Sequence, residues 1–196
     1  MSQNLIKVRQ GGTGLSSLTQ YLLLYADTTN TVSQIPIGTA GQVLRSFGAG
    51  VAPSFSTLVS GGYKAANQSV TTSTTLVDCT GLSFAIDANA TMNFILDFAS
   101  TANSSGGMKW AFTIPSGATG KVTGQGNNTT ATDSVSVTTG FGATSGVAAS
   151  QKSRLFGTIV NSTNAGTVQF QFAQNASFGT STIVLAGATI TAYRVA

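Results

Sequence analysis

Apolar and polar residues alternate with a period of two through much of the chain after about residue 61. In Met92-Asn93-Phe94-Ile95-Leu96-Asp97-Phe98 the side chains of Met92, Phe94, Leu96 and Phe98 fall on one face of a strand. Met108-Lys109-Trp110-Ala111-Phe112-Thr113-Ile114 repeats this with its apolar residues at even positions, and Val168-Gln169-Phe170-Gln171-Phe172 does so most cleanly. Weaker strands are predicted at Ser69–Val77, Leu82–Ile86, Thr119–Thr123, Ser134–Thr138, Leu155–Val160 and Thr182–Val195. Turn-forming runs such as Asp87-Ala88-Asn89, Ser104-Ser105-Gly106-Gly107, Gly126-Asn127-Asn128 and Gly140-Phe141-Gly142 separate them. About eight or nine short strands at this spacing predict an antiparallel β-sandwich, with a jelly roll as first choice and an immunoglobulin-like sandwich as second.

Residues 1–60 read differently. Short apolar clusters are broken by Gly11-Gly12-Thr13-Gly14, Gly38-Thr39-Ala40-Gly41 and Gly48-Ala49-Gly50, and Pro36 and Pro53 lie here. No stretch sustains a helical or strand period long enough to build a core, although Gln20–Ala26 can form a short helical turn or a strand. The expected organisation is an extended segment over 1–60 and a jelly-roll-like sandwich over 61–196. The segment's apolar residues Leu22, Leu23, Leu24, Ile35, Ile37, Val43, Leu44, Phe47 and Phe55 need cover from elsewhere, from neighbouring copies of the chain or from a host structure.

Composition sharpens this picture. Only 7% of the 196 residues are charged, against about 25% in an average soluble protein, and about a quarter are Ser or Thr. With so few ion pairs, backbone ladders and apolar packing must hold the fold. The Gln, Asn and Thr of the polar strand faces cost less to bury than Lys or Glu would, so the Gln face of Val168–Phe172 suits contact between subunits. The net charge of +4 comes from scattered basic residues rather than a phosphate-tracking patch, so nucleic acid is not an expected partner. The apolar run Tyr21–Ala26 is too short to cross a bilayer and lies too far along the chain for a secretory signal. Synthesis in a cytoplasm without membrane insertion is therefore expected.

Chemistry is scarce. Without His, the Ser-His-Asp and Cys-His arrangements are impossible, and zinc sites of Cys and His are excluded. The acids Asp27, Asp78, Asp87, Asp97 and Asp133 are widely spaced, and each has a structural use at a turn or a solvated position. Gly117-Ala118-Thr119-Gly120-Lys121 fails as a phosphate loop, because Pro115 stands where its first Gly belongs and Val122 where Ser or Thr is required. Cys79 reads as a buried, inert thiol. No enzyme activity, cofactor or metal is expected. Tyr63, Phe141 and Phe178, in or beside Gly-rich loops, are the candidate ligand contacts, with a sugar ring as the ligand they suit and anchoring against the sandwich as their structural alternative.

Two stretches carry a resemblance. Pro36-Ile37-Gly38-Thr39-Ala40-Gly41-Gln42-Val43-Leu44-Arg45-Ser46-Phe47-Gly48-Ala49-Gly50-Val51-Ala52-Pro53-Ser54-Phe55, preceded by Gly11-Gly12-Thr13-Gly14, resembles a recurrent segment of bacteriophage tail-fibre and related virion proteins. Phe55 stands where Trp is frequent and Phe47 where Asn is frequent. In the second region, Ser73–Asp78, Leu82–Ile86, Lys109–Gly120, Thr182–Gly187 and Tyr193-Arg194-Val195 look like a domain of phage structural proteins. The resemblance implies a virion component, made in the host cytoplasm, that docks by its N-terminal segment to other virion proteins of tail or capsid. It further implies a homotrimer with an outward-projecting sandwich, either a short fibre or decoration protein or a module that binds a host receptor or surface glycan.

Overall fold

A computed structural model describes residues 17, 20–26, 32–46, 48–57, 59–126, 135–136, 138, 141–143 and 151–195. Every regular element among them is a strand, and every strand pairing is antiparallel. The chain divides into two units, Met1–Leu58 and Val59–Ala196.

The first unit holds two hairpins. Strand β1 (Leu23–Ala26) pairs with β2 (Val32–Ile35), and β3 (Gln42–Arg45) with β4 (Ser54–Thr57). The glycines of the Gly38–Gly50 string have a backbone reason to be there. Gly41, Gly48 and Gly50 take φ of 86°, 103° and 78°, a left-handed region that Cβ-bearing residues avoid. At Gly38 a Cβ would lie 2.6 Å from the Phe55 ring, so the absence of a side chain lets that ring seat against the backbone.

The second unit is a two-sheet sandwich. Its strands are β5 (Val59–Tyr63), β6 (Gln68–Val70), β7 (Val77–Ile86), β8 (Thr91–Thr101), β9 (Met108–Thr113), β10 (Thr119–Gly126), β11 (Val135–Ser136), β12 (Phe141–Ala143), β13 (Gln151–Val160), β14 (Gly166–Ala173), β15 (Thr182–Val184) and β16 (Thr189–Arg194). One sheet runs β11-β10-β13-β8, then β15 and β16 side by side with different stretches of β8, then β6 and β5 on those two. The other runs β12-β9-β14-β7. With β5–β6 and β15–β16 each counted as one interrupted strand, successive strands alternate between the sheets, as in a jelly roll, except at the β10–β11 hairpin.

The alternation seen in sequence becomes the core. Met92, Phe94, Leu96 and Phe98 point inward from β8 and meet Met108, Trp110 and Phe112 of β9 and Val168, Phe170 and Phe172 of β14. Across the interface the rings of Phe94 and Phe112 are 5.1 Å apart, and those of Phe98 and Phe170 5.4 Å, within the range of favourable aromatic contact.

Two departures from the predicted strands have local causes. The stretch expected as one strand over Thr182–Val195 is broken into β15 and β16, where Gly187 takes φ 89° and the pairing along β8 shifts by two residues. Its neighbour is interrupted at the same height between β5 and β6, and the backbones of Lys64, Gly187 and Ala188 bond across the gap. The expected Ser69–Val77 strand ends at Val70, and Val77 already belongs to β7. Within β7 the four residues Cys79–Leu82 stand opposite Phe170 alone, a wide bulge that returns the strand to register at Ser83.

Candidate assembly surface

The first unit is poor in buried apolar surface. Among its described residues Ile35 is the one buried hydrophobic, whereas Tyr21, Leu23, Leu24, Ile37, Val43, Leu44 and Val51 are exposed. Leu22 and Phe55 are half-buried, and Phe47 lies outside the described residues. The two hairpins border a groove of about 350 Å³ whose walls include Tyr25, Ile35, Pro36, Ile37, Pro53 and Phe55. A two-stranded hairpin is marginal in water, and strands of four residues leave little side-chain area to bury between them.

In the second unit the two outer faces differ. That of the four-stranded sheet presents residues such as Thr113, Thr167, Gln169 and Gln171, with no large exposed hydrophobic among its described positions. Its glutamines are used within the chain. The Gln169 amide donates to the carbonyls of Cys79 (2.9 Å), Leu82 (3.1 Å) and Phe170 (2.8 Å), satisfying the β7 bulge, and Gln171 donates to Asp78 Oδ1 (2.8 Å). The larger sheet turns Val59 and Tyr63 (β5), Tyr193 (β16), Ile95 (β8), and Phe156 and Val160 (β13) outward, followed by Val195; all are more than a third exposed.

The aromatics expected to contact a ligand fall on three different elements. Tyr63 is an exposed residue of β5 on that larger sheet. Phe141 lies in β12 of the opposite sheet, in register with Trp110, and its side chain lies outside the described residues. Phe178 is in the β14–β15 loop, 38% exposed.

That loop is held by a residue that sequence reading passed over. Gln174 is fully buried. Its Oε1 accepts from the backbone N–H groups of Ser73 (3.2 Å) and Phe178 (3.1 Å), and its Nε2 donates to the carbonyls of Phe178 (3.0 Å) and Thr180 (2.8 Å). Lys64 was equally unforeseen: only 2% exposed, it donates from Nζ to Gln68 Oε1 (2.8 Å) and to the Thr80 carbonyl (3.1 Å). Gln68 in turn accepts from Thr80 N–H and donates to the Asp78 carbonyl, so the pair fastens the bulge to the strand interruption. Burial pushes the Cys79 thiol up to about 11, with the nearby Lys64 ammonium pulling the other way. A neutral thiol without access to solvent is a packing residue. The remaining acids are dispersed: Asp97 pairs with Arg154, Asp87 with Arg194, and no group of three metal-ligating side chains occurs among the described residues.

No protein-family model matches the chain, and no curated protein matches it. Three solved structures align, all of infectious bursal disease virus. The structures of the Gx and Gt strains each overlap 85% of this chain at 14% identity and a TM-score of 0.23. The VP2 subviral particle overlaps 87% at 11% identity and a TM-score of 0.24. The chain spans 44%, 43% and 55% of the lengths of those three. Identity and TM-scores that low carry no weight for function, and the functional reading rests on the chain's own residues.

Proposed function

We propose that this chain is a non-enzymatic structural component of a bacteriophage virion, a short fibre or decoration protein. It works as a homo-oligomer, a trimer by the resemblance of its two regions, and docks to other virion proteins through residues 1–60. The observation that carries the reading is the imbalance in the first unit, one buried hydrophobic against seven exposed ones among its described residues. Leaving that much apolar surface in water is unfavourable by about 25 cal/mol per Å², so the segment is stable only under cover. The second unit supports a structural role in a different way. Its polar side chains are spent on loop and bulge carbonyls, as Gln169, Gln174 and Lys64 show, rather than gathered around a cleft.

The test is the mass of the full chain in solution by light scattering. The expected result is a multiple of the 19.8 kDa chain mass at micromolar concentration. A stable 19.8 kDa monomer would overturn the proposal.

A further inference from the structure

The outer face of the larger sheet is more apolar than the rest of the sandwich surface, and the register shows how its side chains line up. Row by row across β10, β13, β8, β16 and β5, Phe156 lies beside Ile95, which faces Thr191 and then Gly61. In the next row Thr158 lies beside Asn93, then Tyr193, then Val59. Beyond it Val160 pairs with Thr91, whose carbonyl accepts from the Val195 N–H. On the other side Arg154 lies beside Asp97, then Thr189, then Tyr63. Of the large hydrophobics exposed among the described residues of the second unit, only Val77 and Phe178 lie elsewhere.

From this arrangement we infer that the face is where copies of this chain meet, the same face of each copy turned toward the symmetry axis. The inference rests on the oligomeric reading above and assigns it a surface. Three observations identify the occupant as a second copy.

The first is size. Strands β10, β13, β8, β16 and β5 hold 8, 10, 11, 6 and 5 residues, which at ~3.3 Å per residue and ~4.8 Å spacing gives a footprint of roughly 600 Å². Stable protein–protein contacts take about 600–1,000 Å² per partner.

The second is polarity. Part of the polar surface among the apolar side chains is satisfied within the face. Thr158 Oγ1 donates to Asn93 Oδ1 at 2.7 Å, so that pair enters a contact already bonded. Charge sits at the margins. Arg154 and Asp97 neutralise each other at 2.6 and 2.9 Å, and Lys121 and Lys152 stand on the β10–β13 side. A nucleic acid or an acidic partner would find no matching field at the centre.

The third is what is available to meet it. With 7% charged residues overall, a second copy of this chain is a partner of the same uncharged chemistry, and among the described residues the opposite outer face exposes no large hydrophobic. With the first unit's exposed apolar residues given to docking in the reading above, the apolar side chains of this face meet their own kind, which turns it toward itself. Both a twofold and a threefold axis allow that geometry.

The test uses the full chain. Ile95→Lys and Phe156→Lys together place two charges at the centre of the face, on side chains already 40% and 38% exposed, so the sandwich itself keeps its core. The expected outcome by light scattering is a fall from the wild-type oligomer mass to 19.8 kDa, with the melting transition of the sandwich retained. A second variant needs no loss of stability. Thr191→Cys puts a surface thiol beside Ile95, while the native Cys79 is buried and cannot compete. Mild oxidation should then yield a covalent dimer, absent from the wild type. A wild-type oligomer whose mass survives the double lysine variant, and in which Thr191→Cys gives no cross-link, overturns the face assignment alone. A wild-type monomer overturns the assembly reading with it.

Discussion

Replacing Gln174 tests how the sandwich holds its longest described loop. Its side chain is fully buried and makes four hydrogen bonds, two accepted from Ser73 and Phe178 N–H and two donated to the Phe178 and Thr180 carbonyls. Gln174→Met keeps the volume and removes all four. A net value of about 1 kcal/mol per bond gives a loss of about 4 kcal/mol if every orphaned group stays dry. Phe178 and Thr180 lie in an exposed stretch where water can replace part of it, which brings the expected cost to about 3 kcal/mol. At about 4 °C per kcal/mol for a unit of this size, the melting transition falls by about 12 °C.

Gln174→Glu is the sharper probe. At neutral pH it sets a buried carboxylate against two carbonyl oxygens that have lost their donor, so it destabilises more than Gln174→Met. Burial raises the pKa of that carboxyl in the folded state above its unfolded value of about 4.3. The folded protein therefore takes up the proton first as pH falls. The excess loss relative to Gln174→Met shrinks from pH 7 toward pH 4 and grows again as pH rises through the folded pKa. Thermal melts of the three proteins at pH 4, 5.5 and 7 read this directly. A Gln174→Met variant that melts within two or three degrees of wild type, with a pH-independent gap to Gln174→Glu, would refute the reasoning.

Other outcomes follow from the same packing. Gly62→Ala places a Cβ 2.1 Å from the Gly81 carbonyl oxygen, backbone against backbone, and should lower the melting temperature by at least 8 °C, equivalent to about 2 kcal/mol. Cys79 should not react with an aromatic disulfide reagent at pH 8 in the folded protein and should titrate as one thiol per chain in guanidinium. Its folded pKa near 11, against an ordinary 9.0, also makes stability fall as pH rises from 9 through 11, where the unfolded chain ionises first. Asp97→Asn removes a solvent-exposed ion pair and should leave the melting temperature unchanged by calorimetry.

Strand identity was legible wherever a strand has one dry face and one wet face. Met92–Phe98, Met108–Phe112 and Val168–Phe172 announce their orientation through side-chain period alone, and each residue expected inward is buried. Two kinds of feature were not legible. The bulge over Cys79–Leu82 and the paired interruptions of β5–β6 and β15–β16 are properties of register between strands roughly 80 to 130 residues apart in sequence. Lys64 and Gln174, which fasten these irregularities, look like ordinary surface residues until the backbone groups they serve are in place. Only the positive-φ glycines, Gly81 and Gly187, left a trace in sequence.

The surface proposed here was hidden in sequence for a related reason. Gln169 and Gln171 are conspicuous in sequence as an uncharged polar face, yet their amides are engaged inside the chain. Ile95 reads as one more apolar residue between Phe94 and Leu96, although its side chain points the other way. Val59, Phe156 and Tyr193 are isolated in sequence and become one surface only through strand pairing. In the first unit the lack of any sustained period over residues 1–60 already points to little buried surface, and among its described residues Ile35 is the one buried hydrophobic.

Amide hydrogen exchange across β1 to β4, followed as the full chain is diluted, examines the need for neighbours at its source. The account predicts slow exchange at Leu23–Ala26, Val32–Ile35, Gln42–Arg45 and Ser54–Thr57 where copies associate, collapsing toward unprotected rates on dilution, while β8 and β13 stay protected throughout. Protection of the two hairpins that persists unchanged at every concentration would contradict it.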